Sequence, residues 1–166
     1  MAPASTGPTL TALGYTVAGL DISERQLSIA TQKNRIHRAV LGDVVEIPFS
    51  SSTFDLVVST YTHTDIDDWT QAMREVSRVL TVGGSFVYVG PHPCFFGAQA
   101  EKLLDGTVKI HAGYYNGGDR VVYDAPGFSD NGLRQKVGER HLSLARFLNS
   151  ILVASLTLVL QPDFVI

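Results

Sequence analysis

Apolar residues fall into short runs that end in polar or acidic residues, and these runs predict the strands. The run from Tyr15 to Asp21 is apolar up to its last residues, and the run from Arg38 to Asp43 also ends in an acid. Two more runs, from Phe54 to Thr60 and from Ser85 to Gly90, are rich in valine. Such runs are typical of buried strands in a parallel sheet, so we predict four parallel strands.

Between these runs, apolar residues recur at the spacing of a helix. Ser23 is a favourable N-cap, with Gln26 at the reciprocal capping-box position, and the helix that follows has an apolar face around Leu27. Between Asp67 and Leu80, apolar residues recur every three or four positions and predict an amphipathic helix. The paired glycines at 83–84 are expected to end that helix.

The pattern fades after the fourth run and returns near the end of the chain. Glycine, aspartate and aromatic residues dominate 91–141, which we predict to be a loop-rich lid or substrate-recognition insertion. The apolar spacing from Leu144 to Leu152 then predicts a helix, capped by Ser143. The last segment, LTLVLQPDFVI, predicts a final strand.

The order strand, helix, strand, strand, helix, strand predicts an α/β domain with helices packed on a parallel sheet. At 166 residues and 45% hydrophobic content, the chain 1–166 can fill one core, and we expect a single domain. Ligands of such sheets bind beyond the carboxyl ends of the strands. Asp21 and Asp43 should therefore lie at the same, ligand-binding edge.

Charge and composition exclude several classes of function. The net charge is −3, and the basic residues are scattered, so we expect no nucleic-acid partner. The most apolar stretch, Ile151 to Leu160, is shorter than the roughly 20 residues of a membrane helix, and MAPASTG is unlike a secretory signal. The single cysteine, Cys94, cannot form an intramolecular disulfide, and no metal-binding cysteine and histidine cluster is apparent. We expect a soluble, cytoplasmic protein without metal. The sequence does not predict an oligomeric state.

Three segments, in this order, resemble class I S-adenosylmethionine-dependent methyltransferases, in particular the type 11 family. They are VAGLDISERQLSIA, AVLGDVVEIPFSSSTFDLVVST and EVSRVLTVGGSFVYVG, and they span Gly14 to Gly90. Val82 stands where the family usually has proline, a departure within a turn. The resemblance implies a Rossmann-like, open, mostly parallel sheet with helices on both faces. It also implies S-adenosylmethionine as cofactor and, we expect, a small-molecule methyl acceptor.

The resemblance implies cofactor-binding roles for residues at strand ends. Asp21, with Ile22 beside it, matches the acid that holds the ribose hydroxyls, because a carboxylate accepts hydrogen bonds and a diol donates them. Asp43 matches the acid that receives the adenine amino group, with the amide of Val44 offered to a ring nitrogen. Taken alone, the first acid is equally an acid that caps the next helix, and the second is a turn residue.

Other residues follow the third strand. By the same resemblance, Ser59 and Thr60 should line the methyl-donor end of the cleft. His63 and His92 are candidate general bases, because histidine titrates near neutrality and could accept a proton from a substrate hydroxyl or amine. The alternative for His63 is a loop histidine that caps the helix starting near Asp67.

The resemblance begins after the first strand and the glycine-rich turn of the family. It therefore implies a domain that lacks the usual first strand at its N-terminus and is possibly short at its C-terminus, with Gly7 to Leu13 as the end of the first helix. In the family that strand lies between the strands predicted here at Tyr15 to Asp21 and Phe54 to Thr60. Its lack leaves the activity of this chain open.

Two alternative functions remain. One is a non-catalytic methyltransferase-like protein that binds a partner or small molecule through the same cleft. The other is an NAD(P)-dependent oxidoreductase, in which an acid after the second strand also holds ribose. The oxidoreductase alternative does not explain the segments GDVVEIPF and RVLTVGGSFV.

Overall fold

The computed structural model describes residues 6–33, 36–93, 95–114, 120–122 and 136–159. The helices are α1 (Thr6–Ala12), α2 (Glu24–Gln32), α3 (Trp69–Val79) and α4 (Leu144–Val153). The first strands are β1 (Ala18–Asp21), β2 (Arg38–Leu41), β3 (Phe54–Thr60) and β4 (Leu80–Val89). The later strands are β5 (Ala100–Lys102), β6 (Val108–Ile110), β7 (Arg120–Val121) and β8 (Glu139–Arg140).

The first four strands form two parallel pairs. β1 lies beside β2 with Asp21 opposite Leu41, and β3 lies beside β4 with Thr60 opposite Val89. The predicted parallel direction is confirmed within each pair. Asp43 follows Leu41 by two residues, so the prediction that Asp21 and Asp43 share one edge is also confirmed.

The prediction that the four strands lie in one sheet differs from the described ladders, which form two separate pairs. Their ladders join β1 only to β2 and β3 only to β4. The physical reason lies in the strand order that the sequence resemblance implies, in which another strand separates β1 from β3. Strands that are next-but-one neighbours do not share hydrogen bonds, because adjacent strands lie about 4.8 Å apart.

The start of α2 is tied to the end of β1. As predicted, Ser23 is the N-cap, and its hydroxyl accepts from the N–H of Gln26 at 3.3 Å. In a capping box the side chain of Gln26 would accept from the backbone N–H of Ser23. Here that N–H donates to Oδ1 of Asp21 at 2.8 Å instead. Leu27 is buried, and α2 packs on β1 and β2. The acid that ends β1 therefore also fixes the direction of α2.

The amphipathic helix predicted over 67–80 is α3, and it forms the centre of the core. Asp68 is its N-cap and accepts from the N–H of Gln71 at 2.9 Å. Its buried residues recur at helical spacing and pack against Phe147 and Ile151 of α4. These buried residues are Trp69, Ala72, Met73, Val76 and Val79.

The paired glycines do not end α3, which was the expectation from the sequence. The helix ends at Val79, and β4 begins at Leu80. Between Phe54 and Leu56 of β3, the partner on β4 changes from Leu80 to Ser85, so the glycines lie in an irregular, bulged start of β4. Gly83 has φ +82°, a conformation that suits glycine, and this geometry explains its position.

The end of the chain differs in part from the prediction. The last predicted helix is confirmed as α4, with Ser143 as its N-cap. Leu156 to Val159 have no regular structure, so the predicted final strand is not formed there, and 160–166 lie outside the described residues.

Within 91–141, β5 pairs with β6 and β7 with β8, both antiparallel. Cys94, 115–119 and 123–135 also lie outside the described residues, and the lid function remains a prediction.

Glu75 of α3 should make stability depend on pH. The hydrogen bond from Arg78 holds the pKa of Glu75 below its ordinary 4.5, and the N–H of Ile47 acts in the same direction. A carboxyl group whose pKa is lower in the folded state stabilises the fold above its unfolded pKa. That contribution is lost as pH falls through the folded pKa. We expect Glu75→Gln to lose less stability on acidification than the wild type.

Urea unfolding from about pH 3 to about pH 7 measures this difference. Glu24→Gln is the control, because Glu24 is an exposed glutamate in the first turn of α2. The control should follow the wild-type curve. Parallel curves for wild type and Glu75→Gln would show that the ion pair contributes nothing to acid sensitivity.

Candidate functional site

Asp21 lies at the carboxyl end of β1 and already serves as a helix cap. It is half-buried, and its Oδ1 accepts from the N–H of Ser23 at 2.8 Å. A carboxylate has about four lone-pair positions, so this cap leaves capacity to accept from ligand hydroxyls. Ile22 follows and is 73% exposed. The two interpretations of Asp21, cap and ligand-binding acid, are therefore compatible.

Asp43 forms the turn that follows β2. Its Oδ1 accepts from the N–H of Val45 at 3.1 Å, and its carbonyl oxygen accepts from the N–H of Glu46 at 3.2 Å. The side chain is exposed, and Val44 beside it is half-buried. The turn thus holds the Asp43 carboxylate at the same edge as Asp21. This carboxylate has further lone pairs that can accept hydrogen bonds from a ligand.

Three polar side chains of α3 bind the backbone beyond this turn. Gln71 Nε2 donates to the carbonyl oxygen of Val45 at 3.3 Å. The N–H of Ile47 donates to Glu75 Oε2 at 2.7 Å. Arg78 donates to the carbonyl oxygens of Ile47 at 2.8 Å and Phe49 at 2.7 Å. We call these three side chains, Gln71, Glu75 and Arg78, the α3 clamp.

The chain turns sharply at the end of β3. Ser59 is half-buried, with its Oγ 2.6 Å from Thr62 Oγ1, whereas Thr60 is buried with 6% of its surface exposed. Tyr61 has φ +56°, and its N–H donates to the carbonyl oxygen of Val89 at 2.7 Å. Its side chain is 49% exposed. A left-handed bulky residue is uncommon and is often found at functional sites.

His63 is buried among aromatic rings. Only 3% of its surface is exposed, and its Nδ1 forms a short hydrogen bond with the hydroxyl of Tyr88. The rings of Tyr88 and Phe147 both lie edge-on to it at 5.7 Å. The helix-capping alternative for His63 is wrong, because Asp68 is the N-cap of α3. His63 therefore has one ring nitrogen fixed by a phenol and little access to bulk water.

Burial also defines the state of Tyr88. It raises the pKa of the Tyr88 phenol well above its ordinary value, and the nearby Tyr61 adds to the shift. The phenol stays protonated at neutral pH, so the pair with His63 carries no charge from Tyr88. Gly90 makes this arrangement possible, because a Cβ there would overlap the Tyr88 hydroxyl.

A cavity of about 400 Å³ lies beside His63, between the start of α3, the segment after β8, and α4. Its wall includes apolar groups of Trp69, Leu142 and Val153, together with Arg146 and Asn149. A cavity of this size can enclose a small molecule. Among the described residues, this cavity is lined in part by His63, one of the two candidate general bases.

Charges at the mouth of the cavity are paired. Asp67 lies 3.1 Å from Arg120 and 3.2 Å from Arg140, and the hydrogen bond from Arg120 is the main cause that lowers the pKa of Asp67. The other acid in the wall, Asp68, caps α3. Asp67 and Arg140 therefore form an ion pair in the cavity wall, and Arg146 adds a further cation there.

The second candidate base, His92, lies in the turn after β4. It is exposed, its ring centroid is 5.2 Å from that of Phe95, and its carbonyl oxygen accepts from the Phe95 N–H at 3.0 Å. Within the described ranges, no group of three or more His, Cys, Asp or Glu residues could hold a metal ion. No helix in those ranges has the length and apolar character needed to cross a membrane.

The sequence interpretation missed Tyr88 and the α3 clamp. Tyr88 could have been found, because Phe86 and Tyr88 alternate with exposed residues along β4 and so share its buried face. Glu75 and Arg78 are three residues apart on the polar side of an amphipathic helix, which usually indicates a surface ion pair. Their contacts with a loop 28 to 31 residues away have no local sequence signal.

Comparison with known proteins connects these residues to a family. A family model described as a methyltransferase domain matches residues 4–88, just over half of the chain. That range includes β1 to β3, α1 to α3 and all but the last residue of β4. Asp21, Asp43 and the α3 clamp therefore lie inside the matched range.

Curated relatives match a shorter part. A demethylmenaquinone methyltransferase of Staphylococcus haemolyticus is 37% identical over 75 residues, which are 43% of this chain and 31% of that protein. One of Halalkalibacterium halodurans is 37% identical over 76 residues, with the same coverage of 43% and 31%. The matched part of the chain thus spans about a third of the length of these relatives.

Solved structures match more of the chain. An S-adenosylmethionine-dependent methyltransferase from Mesorhizobium loti has a TM-score of 0.70 at 23% identity, covering 89% of this chain and 66% of that one. A protein from Listeria monocytogenes has a TM-score of 0.62 at 19% identity, covering 82% of this chain and 64% of that one. At these identities the likeness shows the fold, and the predicted Rossmann-like α/β class is confirmed.

Gly90→Ala should disrupt the pairing of Tyr88 with His63. The added methyl group overlaps the Tyr88 hydroxyl, so the ring must leave its rotamer or the strand end must shift. Overpacking of this kind costs about 1–3 kcal/mol of unfolding free energy. Urea unfolding measures the cost. In a Tyr88→Phe background the same change should cost less, since the closest atom is gone. An equal cost in both backgrounds would show that the hydroxyl is not what Gly90 accommodates.

Proposed function

The chain belongs to the methyltransferase domain family, and on that premise we propose that it transfers a methyl group from S-adenosylmethionine to a small-molecule acceptor. The observation that carries the proposal is the pair of carboxylates at one strand edge. Asp21 ends β1, and Asp43 follows β2 beside it. Each uses Oδ1 for its own turn and keeps acceptor capacity for a ligand.

The donor and acceptor types at this edge suit the adenosine part of the cofactor. We propose that Asp21, with Ile22 alongside, accepts from the ribose hydroxyls. Asp43 then accepts from the adenine amino group, and the Val44 amide donates to a ring nitrogen. Both carboxylates are acceptors only, and both cofactor groups are donors, so no lone pair faces another. Ser59 and Thr60, at the end of β3, are proposed to border the methyl-donor end.

The cavity beside His63 supports a small-molecule acceptor. Its volume of about 400 Å³ is in the range of sites for small ligands, and Asp67 in its wall is paired with Arg140. The relatives from Staphylococcus and Halalkalibacterium are named for demethylmenaquinone, itself a small molecule. The net charge of −3 argues against nucleic acid as the acceptor. A cytoplasmic location remains a prediction from the single cysteine.

The chain's contribution to the reaction is alignment and exclusion of water. S-Adenosylmethionine, when bound, would supply an activated methyl group: the bond from an acceptor oxygen, nitrogen or carbon would form as the sulfur–methyl bond breaks, with S-adenosylhomocysteine as the leaving group. Holding two reactants in line lowers the barrier by about 7–11 kcal/mol in well-oriented systems. A strong base is therefore optional. Trp69, which lines the cavity and packs against Tyr88 and Phe147, would help to keep water from the acceptor.

His63 and His92 stay candidates for the proton acceptor when the substrate is a hydroxyl or an amine. His63 borders the cavity, and its Nδ1 is held by the hydroxyl of Tyr88. His92 is exposed and can exchange with solvent. Family membership argues against the oxidoreductase alternative. A binding protein without turnover is distinguished by assaying methyl transfer.

The role of Asp21 can be tested by ligand binding. We expect Asp21→Ala to weaken the binding of S-adenosylhomocysteine by about 1.5–3 kcal/mol, the range for hydrogen bonds to a charged group. Asp43→Ala should cost less, because it leaves the backbone contact at Val44. Isothermal titration calorimetry measures both. Unchanged affinity in Asp21→Ala would remove Asp21 from the site.

Two further variants separate binding from folding. Asp21→Asn keeps an oxygen for the Ser23 N–H and so preserves the start of α2, while it removes the charge. It should still weaken binding. Asp55→Asn is the matched control, because Asp55 lies near the amino end of β3, away from the ligand edge. Its affinity should equal that of the wild type.

A further inference from the structure

We propose that the α3 clamp positions the adenine-binding turn, so that Gln71, Glu75 and Arg78 set the affinity for the adenosine part of the cofactor without touching it. This inference rests on the proposed function. It assigns a role to three residues that lie outside the predicted site. The clamp would hold the turn in place before the ligand arrives, which removes an ordering cost from binding.

The first step is the geometry of the clamp. Its three side chains lie at helix positions i, i+4 and i+7, which share one face of α3. They bind backbone atoms of three alternate loop residues, Val45, Ile47 and Phe49. The opposite face of α3 is buried in the core. A helix fixed by its apolar face therefore presents a fixed row of hydrogen-bonding groups to the loop.

The second step is the strength of the contacts. Arg78 donates through Nε and Nη2 to Glu75, as well as to the loop, and the two side chains lie 2.7 Å apart. Only 13% of the Glu75 side chain and 34% of the Arg78 side chain are exposed. Hydrogen bonds with ionised groups are about twice as strong as neutral ones. The pair also presents both a donor and an acceptor to Ile47, which fixes both backbone groups of that residue.

The third step links the clamp to the ligand-binding acid. Gln71 holds the carbonyl oxygen of Val45, and the N–H of the same residue donates to Oδ1 of Asp43. Two hydrogen bonds therefore connect α3 to the carboxylate. Ile47, two residues further on, is buried in the core. A shift of Val45 must move the Asp43 side chain or break its turn.

The fourth step is the lack of other regular support. Residues 42–50 form turns and bends, without helix or strand. Pro48 has no N–H to donate. The N–H of Gly42 donates to the carbonyl oxygen of Asp21 at 3.2 Å and ties the start of the loop to β1, and Val44, Val45 and Phe49 pack against the core. Beyond Gly42, apolar packing and the clamp place the loop together, and the clamp supplies the side-chain hydrogen bonds from α3 that fix its backbone.

The experiment measures binding of S-adenosylhomocysteine and of adenosine to the full chain by calorimetry. Arg78→Met removes the guanidinium hydrogen-bond donors but keeps an unbranched apolar side chain with high helix propensity. We expect the dissociation constants of both ligands to rise about tenfold, because both contain adenine. Arg74→Met is the matched control, since Arg74 is an exposed arginine on the same helix, and its affinities should equal those of the wild type.

A double-mutant cycle with Asp43→Ala separates positioning from general support of the fold. If the clamp acts through the turn, Arg78→Met should have a much smaller effect on binding once the Asp43 carboxylate is gone. Thermal unfolding shows that each variant is folded. Should Arg78→Met fail to fold, Gln71→Met removes only the bond to Val45, and we expect it to weaken binding of both ligands about threefold.

The outcomes are distinct. Wild-type affinity in folded Arg78→Met, or a full tenfold loss that persists in the Asp43→Ala background, would overturn the clamp as a positioning device. A wild-type chain that binds neither ligand would instead overturn the proposed function on which the clamp rests. Weaker binding of both ligands with a non-additive cycle would support the clamp.

Discussion

Burial of one face of α3 is the constraint on which the rest of the structure depends. Trp69, Met73 and Val76 are almost wholly enclosed, and removing such residues from a core costs several kcal/mol each. The helix cannot rotate without exposing them. Because its rotation is fixed, its polar side must face the loop after β2, and its first turn must face the cavity beside His63. One packed helix thereby sets the distance between the two halves of the candidate site.

The two carboxylates show how a ligand-binding edge can be stable without ligand. Asp21 and Asp43 each accept from a backbone N–H two residues ahead, which orients the carboxylate through the chain itself. Ligand groups then meet acceptors whose direction is already fixed. The same bonds explain why these acids are ambiguous in a sequence. A turn or a cap is sufficient reason for an acid there, and only the shared edge of β1 and β2 separates that interpretation from a binding site.

The sequence predicted what depends on local pattern and missed what depends on contacts across the chain. The direction of the strands, the N-cap at Ser23 and the apolar face of α3 follow from spacing and side-chain chemistry, and they are confirmed. The bulge at Gly83 was mistaken for a helix end because glycine suits both. The α3 clamp and the contact of Tyr88 with His63 join residues at least 25 apart, and periodicity carries no information about such pairs.

In the proposed methyl transfer, the burial of His63 favours alignment over proton transfer as the contribution of the chain. His63 shares a hydrogen bond with a protonated phenol among aromatic rings, and only 3% of its surface is exposed. A methyl transfer needs no charged base if the acceptor approaches in line with the methyl group. Alignment requires that the adenosine end and the acceptor cavity keep a fixed separation. Because α3 contacts the turn through the clamp and lines the cavity with Trp69, it would hold these two parts of the proposed site at a fixed separation.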